Sequence, residues 1–361
     1  MSQSSHPIRR LIVAALSVVM TSSLATAQAV DQIATYRGAC DGSAGVALDQ
    51  NFFAVADDDS NVLNVYRVGQ AVAVQELPLD AFLEAPTKKK LGPDGKPVFK
   101  EADLEGAARI DDRIYWIASH ARDSKGEAEP ARSRLFTTRI VQHADGPRLE
   151  RIGSAAYKNL REDMFDAAKQ AEKPKQELLK LLSDAYAPGK EKDGPIPESE
   201  NGFNIEGLAA TPDGRLLIGF RNPRPGNKAV VIALNNPSKV VDAGDTPIFG
   251  NSWQLDKLEG RGIRSIEWIN NTYVIVAGPH NDVEDSDIKP PFALFTWSGA
   301  EGDTEPVMMK VKIPDDFRPE AVFAIPGSSN MMLLSDDGTK ECKDADKPQK
   351  SFRALIVPVP K

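Results

Sequence analysis

Asp103-Leu104-Glu105-Gly106-Ala107, Asn204-Ile205-Glu206-Gly207-Leu208, Arg264-Ser265-Ile266-Glu267-Trp268 and Arg318-Pro319-Glu320-Ala321-Val322 share one pattern, a Glu that opens a short apolar run. A fifth copy, Cys40-Asp41-Gly42-Ser43-Ala44-Gly45-Val46-Ala47, keeps the Gly and the apolar run and has Ala44 in place of the Glu. Copies stand 61 residues apart from Ala44 to Glu105 and from Glu206 to Glu267, and 53 apart from Glu267 to Glu320; only Glu105 to Glu206 is long, at 101. Self-similarity at such a period decides the architecture before any local reading does.

Two further apolar runs follow each copy. They are Phe52–Ala56 and Val62–Tyr66, Ile114–Ala118 and Leu135–Ile140, Leu216–Gly219 and Ala229–Leu234, Tyr273–Ala277 and Phe292–Trp297, and Met331–Leu334 and Arg353–Pro358. They are short, rich in β-branched and aromatic residues, and bounded by turn residues such as Pro212-Asp213-Gly214 and Asn270-Asn271, which is strand chemistry. Weaker fourth runs follow at Ala71–Leu77, Leu149–Ile152 and Val307–Ile313. Three or four antiparallel strands per repeat, five repeats in series, predict an all-β β-propeller of five blades. Six blades, the sixth built from the poorly patterned stretches, is the alternative. The last repeat lacks a fourth run, and Gln32–Arg37 is placed to supply it and close the ring. The excess between the second and third repeats, residues 157–201, carries apolar residues at spacings of three and four and reads as a helical insertion. It is either a lid over one face or a packing ornament.

Ahead of the repeats, Arg9 and Arg10 precede an apolar run, Leu11–Met20, and Ala25-Thr26-Ala27 offers a small-residue cleavage site. Residues 1–27 therefore read as a secretory signal peptide, leaving 28–361 as one propeller domain, exported to the periplasm or the exterior and without a membrane span after cleavage. Loss of the two Arg takes the formal charge from -8 to -10. An acidic chain repels phosphate backbones, which excludes nucleic acid as a partner. The partners expected are a small-molecule ligand or an exported protein, and the chain is expected to be a monomer. In an exported protein the lone pair Cys40 and Cys342 most simply forms a disulfide, two unpaired thiols being the alternative.

In a propeller the first strand of every blade lines the central channel. Glu105, Glu206, Glu267 and Glu320 are thus expected at one depth around the axis, where burial and mutual repulsion must be compensated. A hard cation such as Ca²⁺ is one solution. Pairing with Arg264, Arg318 or Arg109 is another, and backbone N–H donors are a third. Because the first copy lacks its Glu, a cation is expected off-axis, toward Glu206, Glu267 and Glu320. A second set stands at the ends of the second strands: Asp57-Asp58-Asp59, Ser119-His120, Arg221-Asn222, Pro279-His280-Asn281-Asp282 and Asp336-Asp337. Equivalent strand ends emerge on one rim, where acids, two His and an Arg suit a binding or active site. Gly-x-Ser-x-Gly, Walker-type, dinucleotide and His-Glu-x-x-His motifs are missing from the sequence.

At these residues the chain resembles a bacterial family, domain of unknown function 3616. The segments that carry the resemblance are Cys40–Tyr66 with Ala56-Asp57-Asp58-Asp59, Asp103–Gly106, Trp116–His120, Asn204–Leu208, Leu217–Pro223, Ile263-Arg264 and Leu334–Gly338. The resemblance implies a propeller-like fold and no activity. More distantly, the Glu-Gly pattern is similar to the calcium-dependent phytase-like and esterase-like propellers, a likeness of fold that transfers no reaction. The function expected from the residues is a divalent-metal-dependent hydrolase acting on an ester or phosphoester at the channel mouth. Its Ca²⁺ would be held by Glu105, Glu206, Glu267 and Glu320, with His120 or His280 as acid–base group and Arg221 or Arg264 as substrate clamp. The alternative is a non-catalytic ligand- or protein-binding propeller with a structural Glu ring.

Overall fold

A computed structural model of the chain describes residue 1 and residues 33–84, 99–173, 175–187, 194–281, 290–338 and 349–360. The expected cleavage site and Cys342 lie outside the described residues. β1 (Ile33–Arg37) precedes the first blade, β2 (Ala44–Ala47), β3 (Phe52–Ala56), β4 (Val62–Arg67) and β5 (Gln75–Pro78), which ends in one helical turn, α1 (Asp80–Leu83). The second blade is β6 (Leu104–Ile110), β7 (Arg113–Ala118), β8 (Leu135–His143) and β9 (Gly146–Arg151). Helices α2 (Leu160–Ala168) and α3 (Lys175–Tyr186) follow, inside the segment read as helical. The third blade is β10 (Asn204–Ala210), β11 (Leu216–Asn222), β12 (Ala229–Leu234) and β13 (Phe249–Leu255), with α4 (Pro237–Ala243) before its last strand. The fourth is β14 (Gly262–Ile269), β15 (Thr272–Gly278), β16 (Ala293–Trp297) and β17 (Val307–Met308). The fifth is β18 (Pro319–Ala324), β19 (Asn330–Ser335) and β20 (Ser351–Pro358).

Among the described residues these strands make five four-stranded antiparallel sheets, and β1 pairs with β20 to complete the fifth. The ring thus closes as expected, with five blades. Several of the strands that gave the sequence signal are buried on both faces. β3, β11 and β12 are buried at every position, which is why they read as continuous apolar runs rather than as alternation. β13 gave no signal because it is an outer strand with one solvent face, alternating Phe249, Trp253 and Leu255 inward with exposed or half-exposed residues.

Five apolar clusters fill the five seams between blades. The seam that closes the ring is aromatic, with Tyr36 of β1 5.0 Å from Phe53 and 5.6 Å from Phe352, ring centre to ring centre. The insertion buries Leu160, Met164, Leu178, Leu179 and Leu182 in the seam between the second and third blades, so its helices pack as part of the core.

Inner strands approach one another closely at the axis. A Cβ on Gly106 would lie 2.9 Å from Leu208 Cβ of the next blade, and one on Gly207 would lie 2.9 Å from an Ile263 methyl. This explains the Gly of the Glu-Gly pattern. The Glu has its own cause. Register with the second strand skips Glu105, Glu206 and Glu320 as β-bulges. A bulge re-aims a side chain, here toward the channel. In the fourth blade the skipped residue is Arg264, not Glu267, and in the first blade pairing runs unbroken from Ala44 to Ala47.

Candidate functional site

The second strands of all five blades end at one mouth of the channel, and a cavity of about 450 Å³ opens there. Glu105, Glu206, Glu320, Asp58, Asp59, Asp336, Arg221 and Arg264 all line it, so the two expected sets share one site. Nine carboxylates and four guanidinium groups face this space, an excess of five negative charges when all are ionised.

One side is neutralised. Arg264 Nε lies 3.2 Å from Glu206 Oε2, and its Nη2 donates to Glu320 Oε1. Arg221 Nη1 donates to Glu206 Oε1 at 3.1 Å, as does Asn204 Nδ2 at 2.8 Å. Glu206, Glu320, Arg221 and Arg264 are all buried. Burial pushes the Glu320 carboxyl up to about 8, even with Arg264 pulling it down. The two Arg are therefore engaged with channel carboxylates.

Glu267 corrects the expected ring. It pairs with Val274 toward the other end of β14 and lines a separate cavity of about 510 Å³ with Arg109, Asp111, Asp213 and Trp268. Arg264 takes the place expected for it. Burial pushes the Glu267 carboxyl up to about 8, moderated by Arg109.

The other side is acidic. One oxygen each from Asp58, Asp103 and Glu105 lie within 4.8 Å of one another, and so do oxygens of Asp41, Asp57 and Asp58. Their local donors are few. Asp57 accepts from Cys40 N at 3.1 Å and Asp59 N at 2.9 Å, and Asp58 accepts from Ser43 Oγ at 3.2 Å. Asp103 accepts from Ser119 Oγ and pairs with Arg132 at 3.1 Å. Desolvation and then like charge push Asp41, Asp58 and Glu105 far above the usual carboxylate range, and burial raises Asp57 to about 6. Asp103 holds a left-handed φ of 60°, a conformation that Asp tolerates better than most residues and that is found at strained sites. The side of Glu206 and Glu320, toward which a cation was expected, is thus the neutralised one, whereas the uncompensated carboxylates belong to the first and second blades, with Asp336 of the fifth beside Asp41.

Sequence reasoning left Asp41, Asp103, Asn204, Arg132 and Glu198 without roles. Asp41 and Asp103 had a signal, since both stand just before an inner strand within the repeat itself. Arg132 and Glu198 come from connecting segments, where no repeat marks them.

Neither His takes the expected place. His120 is fully buried at a φ of 55°; its Nδ1 lies 2.8 Å from Ala118 O, and burial lowers its pKa to about 3. His280 is half-buried, outside the cavity lining, and its carbonyl accepts from Arg221 and Asn222. Asn222 is buried and also donates to Pro197 O at 2.9 Å. Asp337 turns away to pair with Arg353 at 2.8 Å. Asp282 lies outside the described residues. Beyond α3 the insertion reaches the mouth, where Pro197 and Glu198 join the lining, so it is both core packing and part of the site wall.

The sequence model of the family described as protein of unknown function DUF3616 matches residues 41–331. The chain belongs to that family. No curated protein matches it. Among solved structures, the chain of this DUF3616 member is similar to a glutaminyl cyclase from Myxococcus xanthus, at 13% identity over 91% of this chain and 96% of that one, TM-score 0.41. It is similar to a PQQ-bound aldose sugar dehydrogenase from Streptomyces coelicolor, at 12% identity over 91% and 99%, TM-score 0.39. It is also similar to an oxidoreductase (glucose dehydrogenase) from Thermus thermophilus, at 13% over 91% and 100%, TM-score 0.42. These likenesses say nothing of the chemistry at this mouth.

Proposed function

We propose that the protein is an exported, divalent-cation-dependent hydrolase of an ester or phosphoester, with Ca²⁺ as its cation and the acidic side of the channel mouth as its site. The observation that supports this reading is the uneven division of the cavity: Glu206 and Glu320 are neutralised by Arg221 and Arg264, while Asp41, Asp57, Asp58, Asp103 and Glu105 crowd together. An all-oxygen set suits Ca²⁺ and not Zn²⁺. The cation would polarise a substrate oxygen and lower the pKa of a bound water. A water held beside the acids would lose a proton and add to the acyl or phosphoryl centre, the bond to the leaving oxygen would break, and that oxygen would take the proton the water gave up. With Arg221 and Arg264 engaged, the cation itself would hold the substrate oxygen.

A second reading, a non-catalytic ligand- or protein-binding propeller, is favoured by the buried Glu206–Arg264–Glu320 chain, which ties three blades together as a purely structural link. Two measurements separate the readings. Chelator-stripped protein is melted as Ca²⁺ is restored; a ligand of the native state must raise the melting temperature, and no change ends the cation reading. Phosphoester, ester and lactone substrates are then turned over by wild type and Glu105→Gln. Loss in the variant supports the hydrolase, equal turnover moves the site elsewhere, and no turnover by either leaves the binding module. Export is checked by N-terminal sequencing of secreted protein, which should begin at Gln28.

A further inference from the structure

The acidic side holds more carboxylates than one cation needs, and they fall into two groups that share a member. Asp41, Asp57 and Asp58 form one, Asp58, Asp103 and Glu105 the other, each with oxygens within 4.8 Å of one another. From this geometry we propose that the mouth binds two hard divalent cations side by side, bridged by Asp58, with Asp41 and Asp57 completing one site and Asp103 and Glu105 the other. The proposal rests on the reading of this mouth as a divalent-cation site and deepens it.

A second kind of observation points the same way. Asp41 and Asn204 are each 4% exposed, both line the cavity, and among the described residues neither Asp41 Oδ1 nor Asn204 Oδ1 has a hydrogen-bond partner. A buried oxygen without a donor carries the full cost of its lost hydration. A cation supplies what the missing donor does not. Asn204 is not one of the clustered acids, and its amide already points its N–H side at Glu206, which leaves the carbonyl oxygen for the cavity. The chain also closes over Asp41 from behind: a Cβ on Gly338 would lie 2.4 Å from Asp41 Oδ2. A side chain there would push the carboxylate out of place, so the approach of the backbone fixes it.

Charge favours two ions over one. With the nine lining carboxylates and Asp57 all ionised, the excess over the four guanidinium groups is six. One divalent ion leaves four of these charges, and two leave two. Ca²⁺ takes about 6–8 oxygen ligands, so each group of three carboxylates leaves coordination positions open to water or to a substrate oxygen.

The test is stoichiometry. The purified protein, stripped with chelator, is equilibrated with Ca²⁺ by dialysis and its bound metal measured by atomic emission. Each variant is first shown to melt cooperatively in chelator. Wild type should bind two ions, Asp41→Asn one, Glu105→Gln one, and Asp58→Asn none at concentrations that saturate wild type. Glu267→Gln, at the far mouth, should bind two. If Asp58→Asn does not fold, Asp41→Asn and Glu105→Gln decide between them. One ion in wild type, lost alike in Asp41→Asn and Glu105→Gln, overturns the bridged pair and leaves the cation reading standing. Two ions retained in either variant overturns the placement. No ion in wild type overturns both.

Discussion

Arg264→Met tests the reasoning most directly, because it removes a side chain that links two channel carboxylates. Arg264 is 6% exposed; it lies 3.2 Å from Glu206 and donates to Glu320. Glu206 keeps Arg221 and Asn204 after the change, while Glu320 loses the guanidinium that holds its carboxyl down. Breaking a buried pair by deleting one partner costs about 3–5 kcal/mol. Protonation limits that loss. The Glu320 carboxyl already stands at about 8 against an ordinary 4.5, so in the variant it takes a proton at neutral pH instead of staying a bare buried charge. A raised folded pKa contributes stability that is complete below 4.5 and lost as pH rises through about 8. The variant raises it further. Up to about pH 8 the carboxyl is protonated in both proteins and the gap holds at about 1 kcal/mol; above that wild type ionises first and the gap opens by up to about 1.4 kcal/mol per pH unit, to about 3 kcal/mol at pH 9.5. At about 2 °C per kcal/mol for a chain of this size, the gap at pH 9.5 is a melting shift of about 6 °C. Scanning calorimetry in chelator at pH 7, 8 and 9.5 reads it. A gap at pH 9.5 no larger than the gap at pH 7 refutes the claim that Arg264 holds the Glu320 carboxyl down. Adding Glu320→Gln to Arg264→Met should recover most of the loss, since the stranded charge is then gone.

On the acidic side, Asp57 stands at about 6 against 3.8, so its contribution is complete below 3.8 and lost as pH rises through about 6. Chelated protein should lose about 3 kcal/mol on this account between pH 4 and pH 7, and millimolar Ca²⁺ should flatten the profile; melting that is insensitive to Ca²⁺ across that range contradicts the site. Gly106→Val forces a side chain against Leu208 and Ile117 and should cost about 1–3 kcal/mol by denaturant titration; an unchanged midpoint means the inner strands do not meet as described. If Cys40 and Cys342 are joined across the closing seam, reduction should lower stability by up to about 5 kcal/mol, and an unaltered melting curve in reductant means there is no such bond.

The propeller was legible in the sequence where strands are buried on both faces. Val230, Val231 and Ile232 have no solvent side, so the run cannot alternate and stands out. The outermost strands were harder to see for the opposite reason. β17 shrinks to Val307–Met308, both exposed, and β13 hides its inward Trp253 among Asn251, Ser252 and Gln254. The candidate site was half legible. Its mouth, its acids and its arginines were anticipated by repeat position. The register was not, because a β-bulge has no signature in residue type. Arg264 and Glu267 are three residues apart on β14, and matching Glu to Glu picked the residue that faces the other cavity.

That one misplaced residue accounts for the asymmetry of the site. A ring of acids at every bulge would repel itself evenly and favour a cation on the axis. An Arg at the fourth blade's bulge instead joins Glu206 to Glu320 and neutralises the bulge acids of the third and fifth blades, leaving Asp336 as the fifth blade's acid beside Asp41. The first blade contributes no bulge, so its carboxylates come from either side of the sheet, Asp41 before β2 and Asp58 after β3. Asp58 then stands beside Asp103 and Glu105 of the second blade with no arginine of its own in that group except the one on Asp103. The negative charge left uncompensated by the fold is concentrated around the first blade's edge, from Asp103 and Glu105 of the second blade to Asp336 of the fifth. A hard cation placed there would meet oxygen ligands on the acidic side and leave the neutralised side open for a substrate.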